Sequence, residues 1–208
     1  MRCCLCQHKS VARRKTYHHG NLREALIEAS LELIAESGPK ALTLREAARR
    51  AGVSHNAPYR HFQDKDALLA AIAEEGFERL TEMMEKRIAT GRTPLEWLNL
   101  CGRGYIEFAL EAPAHYSVMF GAPLDVKLHP ALAAAGERAF GVLLRSIEDC
   151  RAAGAIACDD VATCARVAWS LMHGIATLVY SGQLGIPREQ ALAFAQQAME
   201  MLRQGLQP

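Results

Sequence analysis

Long hydrophobic runs are missing from this 208-residue sequence: no stretch approaches the roughly 18 consecutive apolar residues of a membrane span. A membrane is therefore not among the expected partners. Aromatic residues make up only 6% of the chain while Ala, Leu and Glu are frequent, a balance that favours helix over sheet. No segment reads as a convincing strand, and there is no internal repeat of about 20–50 residues. A Gly-rich phosphate loop and a His-Glu metal motif are both absent. The first residues, MRCCLCQHKS, hold no long apolar run before His8 and Lys9 break it, unlike a secretory signal. A cytoplasmic location is the expectation.

A disulfide framework is also missing, because the seven cysteines are odd in number and unevenly spread. Cys101, Cys150, Cys158 and Cys164 fall in helical segments and are expected to act as small buried apolar groups. Cys3, Cys4, Cys6 and His8 could each ligate a metal, but a structural zinc site draws on two separated ligand pairs and no second pair lies near. A flexible tail is expected there, with no metal and no cofactor.

What is present begins with charge. The net charge of +1 conceals an asymmetry: residues 1–65 hold 12 Lys/Arg against 6 Asp/Glu, and residues 66–208 hold 12 against 17. A basic N-terminal third suits a polyanionic partner, although a solvated surface would look the same.

Helical punctuation runs through almost the whole chain after Gly20. Asn21 with Glu24 forms a capping-box pattern, Leu22, Leu26, Ala29 and Leu33 recur at helical spacing, and Gly38-Pro39 stops the helix. Thr43 with Glu46 opens a short second helix, Ser54 a third over His55–Phe62, and Asp64 a long fourth. Thr93-Pro94-Leu95-Glu96 starts a helix to about Ala112, and Pro113 a short one through Phe120. Further helices are expected over residues 131–153, from Asp159 or Asp160 to about Tyr180, and from Pro187 onward. The helix ending at Tyr180 is apolar on nearly all sides and should be buried on more than one face. In the last helix Leu192, Ala195, Met199, Leu202 and Leu206 repeat with 3-4-3-4 spacing, a seam for packing on another helix. The fold class is therefore all-α, with about nine helices.

The informative stretch is TLREAARRAGVSHNAPYRHFQDK, residues 43–65. A short helix, a tight turn at Ala51-Gly52-Val53 and a second short helix have the logic of a helix-turn-helix, whose second helix enters the DNA major groove. Ala47, Ala48, Val53 and Phe62 can pack inward. His55, Asn56, Tyr59, Arg60 and His61 can offer hydrogen bonds, and none of them is acidic. Ser54 and free N–H groups beside it could hold a phosphate.

The run Gly52-Val53-Ser54-His55-Asn56-Ala57-Pro58-Tyr59-Arg60-His61-Phe62, followed by Asp64-Lys65, resembles the signature of the TetR family of transcriptional regulators. The resemblance extends back through Ala29, Leu33, Gly38, Thr43, Leu44, Ala47, Ala48 and Ala51. Later, Trp169-Ser-Leu-Met-His173-Gly174 resembles the Trp-x-x-x-His-Gly element of one C-terminal domain type in that family.

The resemblance implies a DNA-binding unit over residues 20–80, with the helix-turn-helix at about 43–62, after a flexible basic tail at 1–19. It implies an effector-binding and dimerisation unit over residues 81–208. Thr43, Arg45, Ser54, His55, Asn56, Tyr59, Arg60, His61 and Lys65 would face double-stranded DNA, with Tyr59 and Lys65 on backbone phosphates. The last two long helices would form a four-helix bundle between subunits of a C2 homodimer, through Ile175, Val179, Leu192, Ala195, Met199, Leu202 and Leu206. A small-molecule effector, of unknown identity, would enter the second unit. Trp97, Tyr105, Tyr116, Phe120, Trp169, His173 and Tyr180 are the candidate lining, since they hold most of the large aromatics of that half.

Two rival readings need other features. Acyl transfer would need a nucleophile, a base and an oxyanion hole, for which Ser170 and His173 on one helix are the nearest candidates. A protein-interaction module that had lost DNA binding would favour acidic residues on the second short helix, and there are none.

Overall fold

A computed structural model describes residues 22–205, and among them there is no strand. Eight α-helices follow one another: α1 (Leu22–Ser37), α2 (Leu44–Arg50), α3 (Lys65–Ile88), α4 (Pro94–Glu111), α5 (Pro113–Gly121), α6 (Pro130–Ala152), α7 (Val161–Tyr180) and α8 (Ala191–Gln204). The predicted caps start several of them. The Thr43, Asp64 and Thr93 side chains accept from the backbone N–H of Glu46, Ala67 and Glu96 at 3.1, 2.8 and 3.2 Å. Asp160 does the same for α7, accepting from Ala162 N–H at 3.0 Å. The first box is only half formed, because the Glu46 carboxylate turns to Arg49 at 3.0–3.1 Å instead of reaching back. Asn21 and Leu206 lie outside the described residues, as do Cys3, Cys4, Cys6, His8 and the predicted tail.

Eight helices rather than nine result from one segment. His55–Phe62 does not form the expected helix; it makes a turn followed by a single 3-10 turn over Pro58–Arg60. Pro58 has no N–H, so the bond that would return to the Ser54 carbonyl cannot form. The Ser54 carbonyl instead accepts from Ala57 N–H at 2.9 Å, and the Pro58 carbonyl accepts from both His61 and Phe62 at 2.9 Å. Ser54 therefore supplies a turn and caps no α-helix.

Two apolar clusters form, and α3 belongs to both. Leu26, Ile27, Leu33 and Ile34 of α1, Leu44 and Ala47 of α2, and Leu68–Ala73 of α3 close over Phe62 and Leu42. Leu80 and Met84, further along the same helix, join the larger cluster built from α4, α6, α7 and α8. At 1.5 Å per residue α3 is about 36 Å long, enough to join both clusters as one rigid rod. It packs on α4 at very short range: a Cβ on Gly104 would lie 2.9 Å from the Met84 Cα, so glycine is required there. Beside this contact the buried Glu107 carboxylate takes ion pairs from Arg87 of α3 and from Arg103, the latter at 2.8 Å. Removing both arginines would leave the buried carboxylate without a partner, which is costly.

The cysteine expectation holds for Cys101 and Cys150, which are buried and free, and fails for the other two. Cys158 and Cys164 are joined by a disulfide with Cα atoms 6.6 Å apart. After Gly154 the chain folds back, with Ile156 buried as an anchor, and this sets Cys158 beside the first turns of α7. Sequence spacing carries no sign of that reversal.

Candidate nucleic-acid interface and internal cavity

The helix-turn-helix elements are held by contacts behind them. Arg50 at the end of α2 reaches across to α1, donating to Glu36 at 2.6 and 2.8 Å and to Glu32 at 3.4 Å. Pro58 and Phe62 point inward, and Arg23 of α1 stacks over the Phe62 ring at 6.0 Å. Gly52 takes φ +70°, a left-handed conformation that glycine adopts without steric cost, between α2 and the turn. With the inward side so fixed, Thr43, Arg45, Ser54, His55, Asn56, Tyr59, Arg60 and His61 are all exposed. Tyr59 is 53% accessible although the buried Pro58 stands beside it in the chain. Lys65 is half-buried: its Nζ donates to the Lys40 carbonyl at 3.0 Å, tying the start of α3 to the loop before α2. The ammonium has three donors, so this bond leaves others available. The segment 54–62 carries no carboxylate, and all nine sequence-predicted DNA residues come from α2's start, the turn and α3's start.

The second unit holds a cavity of about 540 Å³, partly open to the surface, lined mainly from α3, α4, α5, α6 and α7. Tyr105, Phe120 and Trp169 line it, as expected from the sequence. Tyr116 and His173 stand just behind that wall. His173 Nδ1 lies 2.9 Å from the Tyr105 hydroxyl and 3.0 Å from that of Tyr116, which in turn meets Thr177 Oγ1 at 3.0 Å. The His173 ring sits 4.5 Å from the Phe120 ring and 5.5 Å from that of Trp169, centroid to centroid. Burial lowers the His173 pKa and raises that of the Tyr105 hydroxyl, so both are neutral near pH 7.

Two candidates lie elsewhere. Trp97 faces a separate hollow with Ile88 and Val142, and Tyr180 is exposed in a groove beside Ile34 and Arg188. The helical phase explains both, since Trp97 precedes the inward Leu98 and Tyr180 ends its helix. Most of the wall went unnamed in the sequence: Phe77, Leu80 and Met84 from α3, Leu98 from α4, Phe140 and Leu143 from α6. Their apolar periodicity marks them as inward but does not separate a cavity wall from a filled core. Met84, Met119, Met172 and Met199 also line the space, and their flexible thioethers can adapt to a guest. Among the described residues, Arg166 is the one charged side chain of the lining. Ser170 is exposed and is not among the hydrogen-bond partners of His173.

The predicted dimer seam turns inward. Ile175, Ala195 and Met199 are buried in this subunit, and Val179, Leu192 and Leu202 pack against the same core. The reason is that α8 needs its apolar stripe to close the subunit over α4 and α7. What remains outside is a different face. Val167 and Leu178 on α7 and Met201 on α8 are 48, 38 and 73% accessible. Between them, nothing lies within 4 Å of a Cβ placed on Gly174. Among the described residues no helix is long and apolar enough to cross a membrane, and no cluster of His, Cys, Asp or Glu suits a metal.

Comparison with known proteins gives matches at both ends of the chain. Residues 26–72 match the model of bacterial regulatory proteins of the tetR family, and residues 98–202 match a tetracyclin repressor-like C-terminal domain. An HTH-type transcriptional repressor of Mycobacterium tuberculosis is 37% identical over 60 residues, 29% of this chain and 32% of that protein. The tetracycline repressor protein class C of Escherichia coli is 50% identical over 52 residues, 25% of this chain and 24% of that protein. The chain thus spans about a third or less of the length of these curated relatives. A solved structure of a protein of unknown function from Rhodococcus sp. RHA1 is similar over 93% of this chain and 100% of its own, with TM-score 0.80 and 33% identity. The FadR regulator of Bacillus subtilis, solved in complex with stearoyl-CoA, shares the fold over 88% of this chain and 98% of its own, with TM-score 0.75 and 19% identity.

Proposed function

The chain belongs to the TetR family of bacterial regulatory proteins, and we propose that it represses transcription as a two-fold homodimer that leaves its operator when a small apolar molecule fills the cavity. The observation that carries the DNA reading is the acid-free turn 54–62, whose inward side is pinned by Pro58 and Phe62 while Asn56, Tyr59 and Arg60 stay exposed. Asn can read adenine, and Arg can read guanine or hold a phosphate. A C2 dimer would present two such turns to successive major grooves about 34–36 Å apart, so the operator is a near-palindrome. The open α7–α8 face supports the dimer: Val167, Leu178 and Met201 are apolar, and Gly174 lets a second helix approach.

The effector reading rests on the cavity and on α3. Phe77, Leu80 and Met84 of α3 line the cavity, and the same helix begins at Lys65 beside the turn. A guest that moves α3 thereby moves the DNA-contacting end. To release DNA it must bind the DNA-incompetent state more tightly, since equal affinity shifts nothing. The lining favours an apolar body, with Arg166 available to an acidic head.

A gel shift against fragmented genomic DNA at rising salt tests the DNA reading. Retention that falls as salt rises and enriches a near-palindrome supports it, and no retention at any salt refutes it. With an operator in hand, straight-chain carboxylic acids and their amides are added at matched length. Release by the acids and less by the amides is the expected result. Release by neither class refutes the apolar-effector reading.

A further inference from the structure

The disulfide between Cys158 and Cys164 stands at a place where it can control the cavity wall. Cys158 lies in the connection between α6 and α7, and Cys164 lies one turn inside α7, its N–H bonded to the Asp160 carbonyl at 3.0 Å. Two residues beyond Cys164 comes Arg166, then Ala168 and Trp169, all three on the cavity lining. Cys164 also touches the small hollow formed by Leu98, Ile156, Ala168 and Met199, where α4, α7 and α8 meet. A covalent tie at this point therefore fixes the start of the helix that carries much of the wall.

The two sulfurs differ from the chain's other described cysteines in the way that matters for reactivity. Both are only half-buried. Cys101 and Cys150 are buried and free, and burial pushes their thiols up to about 12 and about 11. A thiol held protonated does not attack, because the thiolate is the nucleophile.

We infer that Cys158 and Cys164 form a reversible oxidation site, taking a hydroperoxide as reactant, whose state sets the order of α7's first turns and so the affinity of the cavity. One thiolate attacks the peroxide: an S–O bond forms, the O–O bond breaks, and the leaving oxygen departs as an alcohol or water after protonation. The second thiolate attacks that sulfur: the S–S bond forms, the S–O bond breaks, and water leaves. In sum two thiols and one hydroperoxide give a disulfide, an alcohol and water, with the sulfurs oxidised and the peroxide oxygens reduced. A dithiol reverses the bond by exchange through a mixed disulfide. The structure described here is the oxidised state. Its effect on ligand affinity rests on the effector reading above, whereas its effect on α7 does not.

The test uses the full chain with Cys3, Cys4 and Cys6 replaced by serine. Trypsin cuts after Arg151 and Arg166, so both sulfurs fall in one peptide, and oxidation lowers its mass by two hydrogens. Hydrogen peroxide should give that loss and dithiothreitol should reverse it. Amide hydrogen exchange over residues 161–169 should be slower in the oxidised protein. The anionic apolar fluorophore 8-anilinonaphthalene-1-sulfonate should bind the oxidised form about 5-fold or more tighter, the lower end of ordinary coupling between sites. Cys158→Ser, and separately Cys164→Ala in case one variant misfolds, should abolish both responses to peroxide. A peptide that stays reduced under excess peroxide overturns the proposal, as does equal exchange over α7 in the two states. Failure of the fluorophore to bind either state counts against the cavity reading alone, and the exchange data then decide the oxidation site.

Discussion

The Tyr105 hydroxyl and His173 Nδ1 lie 2.9 Å apart, joining α4 to α7 across the wall of the cavity. Tyr116 shares the same nitrogen at 3.0 Å, so one imidazole holds two buried phenols. Tyr105→Phe should cost about 1 kcal/mol, the worth of an ordinary hydrogen bond. His173→Ala should cost more than Tyr105→Phe, since it takes the imidazole from the buried Tyr105 hydroxyl, at about 1–3 kcal/mol if that group stays unpaired. It also removes the ring's packing on Phe120 and Trp169, while Tyr116 keeps Thr177 and the residue 173 carbonyl. Urea unfolding of the two variants checks the order. A smaller loss for His173→Ala would show that neither phenol depends on the ring.

Stability should fall as the medium is acidified below the ordinary imidazole value of about 6.5. Burial lowers the pKa of His173, and burial with nearby Arg79 lowers that of His115, against a smaller upward pull from Glu75. Between the lowered folded value and the unfolded one, the unfolded chain holds more protons, so stability rises with pH across that window. The contribution is complete above about 6.5 and is lost as pH falls toward the folded values. Thermal melts from pH 8 to 5 should show this slope, and His173→Gln with His115→Gln should flatten it. An unchanged slope in the double variant would assign the effect to other groups.

On DNA, Tyr59→Ala should weaken binding to every sequence, because phosphate contacts position the protein without specifying bases. Asn56→Ala should instead change base preference by ~1–3 kcal/mol at one position of each half-site. Lys65→Ala should act like Tyr59→Ala, with an added loss of order where its ammonium holds the Lys40 carbonyl. Binding to operator and to random DNA at matched salt separates the three. Full operator affinity in Tyr59→Ala would remove that ring from the interface.

Assembly should respond to the outer face and folding to the inner one. Leu178→Glu puts a charge on the exposed side of α7 and should shift the protein toward monomer with its helix content intact. Leu202→Glu puts a charge against this subunit's own core and should lower the melting temperature instead. Sedimentation and circular dichroism on both variants test the pair. A folded monomer from Leu202→Glu would restore the seam to the dimer.

Much of the site was legible before the structure. Caps at Thr43, Asp64 and Thr93 are local chemistry, decided by residues three positions apart, and they appear where the sequence puts them. The exposed set around Asn56 and Tyr59 follows from which neighbours are apolar enough to turn inward. The helix expected at His55–Phe62 is absent because Pro58 lacks the donor that would return to Ser54, which outweighs Ser54's value as a cap.

Sequence alone thus determined the all-helical class, most helix boundaries to within a residue or two, and the family, because each rests on periodicity, caps and a run of residue types read along the chain. Helix α8 is an exception, beginning at Ala191 after a 3-10 turn over Arg188–Gln190 rather than at Pro187. Tertiary structure decided the rest. The seam on α8 looked like a dimer interface because a stripe of Leu, Ala and Met does not name its partner, and packing gave it to α4 and α7 of the same subunit. Trp97 and Tyr180 left the cavity while Phe77, Phe140 and Arg166 joined it, since helical phase gives a direction but not what stands opposite. Cys158 met Cys164 only because the chain folds back after Gly154. Such meetings depend on where distant segments come to rest, and that is fixed by close packing of the whole chain rather than by any stretch of it.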